Sequence, residues 1–435
     1  MDASEREGLL AADRRHLWRP YTSSEDQQAI DPLLVVGGDG PYLITDRGER
    51  VLDGSGAWWC NNLGHGHPRL RRALVEQAET LMHCSMAGTL HEGAARLAEE
   101  LAAVAPAGLT RVFYSDDGST SVEVGLKMAY QYWQQNGRPE RRRFLALPAA
   151  YHGDTFGAMS VGGVAAFHGV FSSLFFDVFR PPAPAPGEGF EAVVDALSEQ
   201  LSRSGDEVAG VIVEPMIQGA AGMRVWSAEL LRRLHTATRE ADTFLIADEV
   251  FTGFGRTGPM WASDHAGISP DILCSAKGLS GGVLPFAATL ASERVFDGFR
   301  GGKERALMHG HTFFGNPLGA AVAREVLAIY RDEHILEHAA LRAEELALGF
   351  ADMARIPGVR RVRSLGMVAA LDLGDEGYMA DAGWRVQREA RSRGVQLRPL
   401  GDTVYVVPPL NIEADALAHL LEVTRDSVNV ALSGA

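Results

Sequence analysis

Short apolar runs without polar alternation mark the middle of the chain. Val208-Ala209-Gly210-Val211-Ile212-Val213, Thr243-Phe244-Leu245-Ile246-Ala247 and Asp271-Ile272-Leu273-Cys274 are each bounded by a charge, a glycine or a proline. Runs of that kind suit parallel strands covered on both faces. Between them, residues 191–201 and 228–241 have one apolar face and supply crossover helices. Helical patterning also follows Pro68, with Leu70, Ala73, Leu74 and Ala78 on one side. From there to about Tyr330 strands and helices alternate, so an α/β domain is expected. Residues 32–53 read as strands and turns around Asp46-Arg47-Gly48, and the proline-rich stretch 180–187 reads as a stiff surface loop. After Ile329 the texture changes. A long charged helix is predicted over 333–353, followed by strand-like pieces at 367–371 and 404–407. The expected organisation is an N-terminal segment (1–60) joined to a smaller α+β domain (331–435), with a large domain between (61–330).

Composition narrows the class. The 435 residues carry 41 basic and 56 acidic side chains, a net charge of −15. That argues against nucleic-acid and membrane-surface partners, which call for a basic patch. Cys60, Cys84 and Cys274 are far apart and lack metal-ligand spacing, so neither a disulfide framework nor a metal site is expected. Residues 1–15 are charged throughout and do not read as a signal peptide, and no stretch approaches the ~20 apolar residues of a membrane span. A cytoplasmic protein acting on small molecules is the reading.

Candidate chemistry collects at the ends of the predicted strands, where open α/β sheets bind ligands. Lys277 follows an apolar run and precedes Gly278-Leu279-Ser280-Gly281-Gly282. It is either a solvated surface charge or a lysine that loses its proton and attacks a carbonyl. Asp248 closes the run at 243–247. It either caps the next helix or holds a pyridinium nitrogen. The neighbouring Glu249 would point to the opposite face. Ser115-Asp116-Asp117-Gly118-Ser119-Thr120 leads into a helix; Thr120 and Glu123 fit a capping box, and the amides of Gly118, Ser119 and Thr120 could cradle an anion. Tyr151 in Tyr151-His152-Gly153-Asp154-Thr155 could stack on a heteroaromatic ring, and His152 is a base or a plain hydrogen-bonding residue. Trp58 and Trp59, if in a strand, would face opposite sides. Arg398 is a surface charge or a planar fork for a carboxylate.

Together, Tyr151-His152-Gly153, Asp248-Glu249-Val250, Gly253-Phe254-Gly255-Arg256-Thr257-Gly258 and Lys277-Gly278 resemble the class III aminotransferases, in order and spacing over nearly the whole chain. The resemblance implies the type I fold of pyridoxal-phosphate (PLP) enzymes: a mostly parallel seven-stranded sheet in a large domain, plus a smaller α+β domain. It implies amino-group transfer with Lys277 holding the cofactor as a Schiff base and shuttling protons. Asp248 would sit on the pyridinium nitrogen, Tyr151 on the ring, and Gly118 and Ser119 on the phosphate. A homodimer with shared sites is implied, in which Thr312 reaches the partner's phosphate. Tyr21, Trp58, Trp59, Asp154 and Gly310 would line the substrate pocket, and Arg398 would hold a carboxylate. Within the family, His16-Leu17-Trp18-Arg19-Pro20-Tyr21-Thr22, Trp58-Trp59 and Met308-His309-Gly310 are similar to the branch that aminates 8-amino-7-oxononanoate for biotin. Three departures stand out: Asp117 where a serine is usual, His311 beside Thr312, and Cys60-Asn61-Asn62 after the tryptophans. His311 and Arg398-Pro399-Leu400-Gly401-Asp402 resemble a lysine-using branch, while Tyr21 and the tryptophan pair resemble one that takes its amino group from S-adenosylmethionine, the expected donor. The rival readings are an ω-aminotransferase of other substrate, a PLP protein that does not transaminate, and an α/β binding protein without PLP.

Overall fold

The computed structural model describes residues 1–433. The N-terminal strands β1 (Val35–Asp39), β2 (Tyr42–Thr45) and β3 (Arg50–Asp53) form an antiparallel meander. The central sheet contains β4 (Leu109–Ser115), β5 (Arg143–Ala146), β6 (Val178–Phe179) and β7 (Val208–Val213). A small hairpin, β8 (Ile217–Gln218) with β9 (Arg224–Val225), follows. The central sheet then resumes with β10 (Phe244–Asp248), β11 (Ile272–Ser275) and β12 (Ala287–Ser292). Its order is β4-β12-β11-β10-β7-β5-β6, and β12 alone runs against its neighbours. The expected mostly parallel seven-stranded sheet is therefore present.

Burial follows the apolar runs. Every residue of β7 and of β10 is buried. Val211, Val213 and Leu245 pack with the helices Glu191–Ser204 and Ala228–Glu240. Ala209, Ile212, Phe244 and Ile246 pack on the other face with the helix Gly118–Gln135. Both faces of the sheet are thus dry, which is why the runs show no polar alternation. Each fully buried Val, Leu or Ile contributes about 1.5–3 kcal/mol, and a charge at Ile246 would break this layer.

Beyond the helix Pro317–Asp332 the chain forms a three-stranded sheet from β13 (Arg360–Leu365), β14 (Val368–Asp372) and β16 (Thr403–Val406), while β15 (Val395–Gln396) crosses over to pair parallel with β3. The predicted helix over 333–353 begins at Ile335 instead. His334 takes a left-handed backbone, φ 51°, and separates this helix from Pro317–Asp332. Among the described residues no helix is long and apolar enough to cross a membrane.

Candidate functional site

The carboxyl ends of β4, β7, β10 and β11 open into a cavity of about 720 Å3. Asp248 pairs in register with Cys274, which brings Asp248 and Lys277 to one edge from adjacent strands. Lys277 itself has a left-handed backbone, φ 42°. Its Nζ lies 4.8 Å from the Trp59 ring centre and 5.8 Å from that of Phe251. Burial lowers the Lys277 pKa, against the opposing charges of Asp248, Cys60 and Glu214. Asp248 is engaged elsewhere: its Oδ2 is 2.7 Å from His152 Nδ1, and its Oδ1 accepts from the Val250 amide. Both His152 and Asp248 are buried, and His152 Nε2 has no partner among the described residues. Glu249 points the other way, as expected, and caps the turn Ala262–Ala266 through the amides of Ala262 and Ser263.

At the start of the helix Gly118–Gln135 the structure corrects the sequence reading. The capping box runs from Asp117 to Thr120, not from Thr120 to Glu123. Asp117 accepts from the Thr120 amide at 2.9 Å, so the substituted aspartate serves as N-cap and leaves the Gly118 and Ser119 amides free of intrahelical acceptors. Glu123 is drawn away by tertiary contacts, accepting from Thr155 Oγ1 and the amides of Gly157 and Ala158. The Tyr151 loop packs tightly on this helix start. A Cβ at Gly153, φ 120°, would stand 1.7 Å from Ser119 Oγ, and that hydroxyl accepts from the Asp154 amide at 2.8 Å.

Tyr151, Asp154 and Tyr21 form one polar cluster. The Asp154 carboxylate accepts from Tyr21, from Tyr151 at 3.0 Å and from His168 Nε2 at 3.2 Å. Burial works to raise the Asp154 pKa, but the bonds from His168, Tyr21 and Tyr151 outweigh it and hold the carboxyl below its usual range. Burial and the Asp154 charge push both tyrosine hydroxyls up. The tryptophan pair is not in a strand. Gly56, Ala57, Trp58 and Trp59 have φ of 54°, 48°, 63° and 76°, a left-handed turn. Trp59 is buried against Phe251 and Tyr405, while Trp58 is 40% exposed, edge-on to Tyr21 and 4.0 Å beneath the Arg398 guanidinium. The two environments differ as expected, but because of the turn rather than strand alternation. At about 1–2 kcal/mol per non-glycine residue, the turn stores roughly 3–6 kcal/mol. Of the residues expected at the pocket, Trp59 and Asp154 line this cavity, while Tyr21, Trp58 and Arg398 stand outside its lining and Gly310 and Thr312 are exposed.

Two residues went unread in the sequence, Glu214 in the cavity wall and His168 behind Asp154. Glu214 follows β7 and accepts from the amides of Tyr151 and Gly219. Burial, then the Asp248 charge, push its pKa up to about 7 against the pull of His152 and those amides. Its signal was available, since it ends a buried strand just as Asp248 does. His168, whose ring lies 22° from parallel to that of Tyr151, carries no such local signal.

Comparisons with known proteins agree on one family. The family described as aminotransferase class-III matches residues 22–428. Proteins named adenosylmethionine-8-amino-7-oxononanoate aminotransferase are similar over nearly their whole length. That of Synechococcus elongatus is 46% identical, covering 94% of this chain and 98% of its own. That of Geobacter sulfurreducens is 40% identical, covering 97% of each. The crystal structure of the Methanocaldococcus jannaschii protein of that name superposes with a TM-score of 0.94 at 33% identity, covering 98% of this chain and 99% of that one. The omega transaminase of Pseudomonas jessenii, in complex with PMP, gives 0.91 at 29% identity over 98% of each chain.

Proposed function

The chain belongs to the class III aminotransferases, which depend on pyridoxal phosphate, and from that premise we propose that it transfers an amino group to 8-amino-7-oxononanoate, with S-adenosylmethionine as donor. The product would be 7,8-diaminononanoate, destined for biotin. The relatives that bear this activity in their names support the substrate. The observation that carries the chemistry is Lys277, its charge disfavoured by burial, beside an aspartate already paired with a histidine.

The residues present fit the cofactor. The free amides of Gly118 and Ser119 at a helix N-terminus suit a phosphate. The buried Asp248 suits a ring nitrogen, and Tyr151 lines the cavity with an aromatic ring. Bound pyridoxal phosphate supplies the carbonyl that takes up the amino group and a ring that accepts the electron pair freed at the substrate carbon. The protein's own groups do the rest. Lys277 would hold that carbonyl and, freed by an incoming amine, would move the proton at the substrate carbon through its neutral Nζ. Asp248, fixed by His152, would accept from the ring nitrogen and keep it protonated. Asp154, kept ionised, would receive an ammonium group together with Tyr21 and Tyr151. Arg398 would hold the carboxylate of the keto acid with Trp58 packed beneath it, and the buried Trp59 would exclude water. Both half-reactions use one cavity, so ping-pong kinetics are expected.

A homodimer is part of this proposal. Trp18 is 93% exposed, Leu90 70%, Met82 64% and Met308 63%, surface that a second copy would cover. Gly310 and Thr312 would then serve the partner's cavity. We place the enzyme in the cytoplasm and assign the cofactor to a large domain over 61–330. Residues 1–60 and 331–435 would form the smaller domain, with 434 and 435 outside the described residues.

Half-reactions test the substrates. S-adenosylmethionine, lysine and 4-aminobutyrate are added separately, and loss of the visible band of the bound cofactor is followed. 8-Amino-7-oxononanoate is then added to restore the band. Conversion by S-adenosylmethionine and return by the keto acid is the expected result. Conversion by lysine alone would reassign the donor. Conversion only by 4-aminobutyrate, or no return, would overturn the substrate and leave an ω-transaminase.

A further inference from the structure

The left-handed turn at the tryptophan pair needs an agent that imposes it, since a run of non-glycine residues does not adopt it freely. That agent is Asp53, at the end of β3. Its carboxylate is 2% exposed and accepts from the Ala57 amide at 2.7 Å, from the Ser55 amide at 3.1 Å and from the Ser55 hydroxyl at 3.0 Å. His65 Nε2 stands 3.1 Å from the same oxygen that Ala57 uses. The far side is closed as well, because a Cβ at Gly56 would lie 2.5 Å from the Val407 carbonyl oxygen. Held this way, one indole turns inward below Lys277 and the other outward beneath Arg398. Asp53 itself does not line the cavity.

We propose that Asp53, backed by His65, is a positioning residue of the active site: its carboxylate clamps the strained turn that sets Trp59 under Lys277 and Trp58 against Arg398. This rests on the placement of Lys277 and the tryptophans in the active site argued above. Without the clamp the turn relaxes toward ordinary backbone angles and both indoles leave their places, though no group that touches substrate has been changed.

Cys60, the next residue, reports on the turn because its Sγ donates to the Ala57 carbonyl at 3.0 Å. Cys274 is buried, so a Cys84→Ser background leaves Cys60 as the reactive thiol. In full-length protein carrying its cofactor, Asp53→Asn is expected to speed iodoacetamide labelling of Cys60, read by mass spectrometry, about tenfold. The same change lowers kcat/KM for the keto acid about 10- to 100-fold, the scale of a small misplacement of binding groups. Ala57→Gly added to Asp53→Asn partly restores both, since glycine meets no penalty at φ 48° and removes one of the three strained positions, and Ala57 is exposed. Ala57→Gly alone leaves both unchanged. Should Asp53→Asn fail to fold, Ala57→Val keeps the carboxylate and raises the strain at the same position, and it should reproduce both changes. Activity lost with labelling unchanged, no restoration by Ala57→Gly, or wild-type behaviour of Ala57→Val would each overturn the clamp. Labelling does not depend on the substrate, so an error in the keto acid would appear instead as absent turnover in the unsubstituted protein.

Discussion

Glu214→Gln isolates the titration of a buried carboxyl at the cavity wall. Burial and the Asp248 charge move Glu214 from its ordinary 4.5 up to about 7. Between those values the folded chain holds a proton that the unfolded chain has lost. The unfolded state then binds fewer protons, so stability falls as pH rises, by about 1.4 kcal/mol per pH unit for this one group. The contribution is fully present below pH 4.5 and is lost as pH passes through about 7, a total of roughly 3 kcal/mol. Glutamine is neutral at every pH. Its amide would meet either the Tyr151 or the Gly219 N–H, which both now donate to the carboxylate, and that mismatch costs about 1–3 kcal/mol. At low pH the variant should therefore be the less stable of the two, and it should lack the slope. Urea midpoints of the cofactor-free protein, measured from pH 5 to pH 8, separate the two effects; cofactor is omitted because ligand binding shifts apparent stability. The wild-type advantage should shrink by roughly 3 kcal/mol up to about pH 7, so that it vanishes or reverses, and then level off. A difference independent of pH would refute the raised carboxyl.

Lys277→Ala should abolish turnover and covalent retention of the cofactor while thermal unfolding of the cofactor-free protein stays near wild type; transamination near the wild-type rate would refute the assignment. Arg398→Ala should raise KM for the carboxylate-bearing acceptor about tenfold or more with little change in kcat, on the scale of a charge-assisted hydrogen bond. An unchanged KM would count against the clamp on the carboxylate. His152→Leu strips Asp248 of its partner, and the bare carboxylate then favours protonated Lys277. Cofactor attachment, followed by its visible band, should require higher pH, and an unshifted profile would show that His152 does not act through Asp248.

What could be read in the sequence was what local pattern encodes. The apolar runs at 208–213 and 243–247 reveal dry parallel strands because both faces of β7 and β10 are covered, and the residues that end them fall at the ligand-binding edge. That logic reached Asp248 and Lys277, and it applied equally to Glu214. Other features come from contacts between distant segments. Tyr21 meets Asp154 across 133 residues, and nothing near either announces it. The capping box failed for the same reason: Asp117 and Thr120 compete with Thr120 and Glu123 for one spacing, and the amides of a later loop decide the matter by claiming Glu123. The turn at Trp58 was invisible because Ala-Trp-Trp has no left-handed preference, and its cause, Asp53, looks in sequence like any residue ending a strand.

The cavity's charges explain why its lysine has no counter-ion. Four carboxylates line it besides Asp116, and each is answered locally. Asp117 caps a helix, Asp154 takes three donors, Asp248 takes His152, and Glu214 is pushed toward keeping its proton. Had Asp248 or Glu214 been free to pair with Lys277, the ammonium form would be favoured by several kcal/mol and the amine would be a poor nucleophile. Pairing the carboxylates elsewhere leaves burial as the dominant influence on Lys277, and burial favours the neutral amine. His152 and Glu214 therefore act on the lysine without touching it. A change at either should register first in the pH at which Lys277 holds the cofactor, before it registers in the affinity for any substrate.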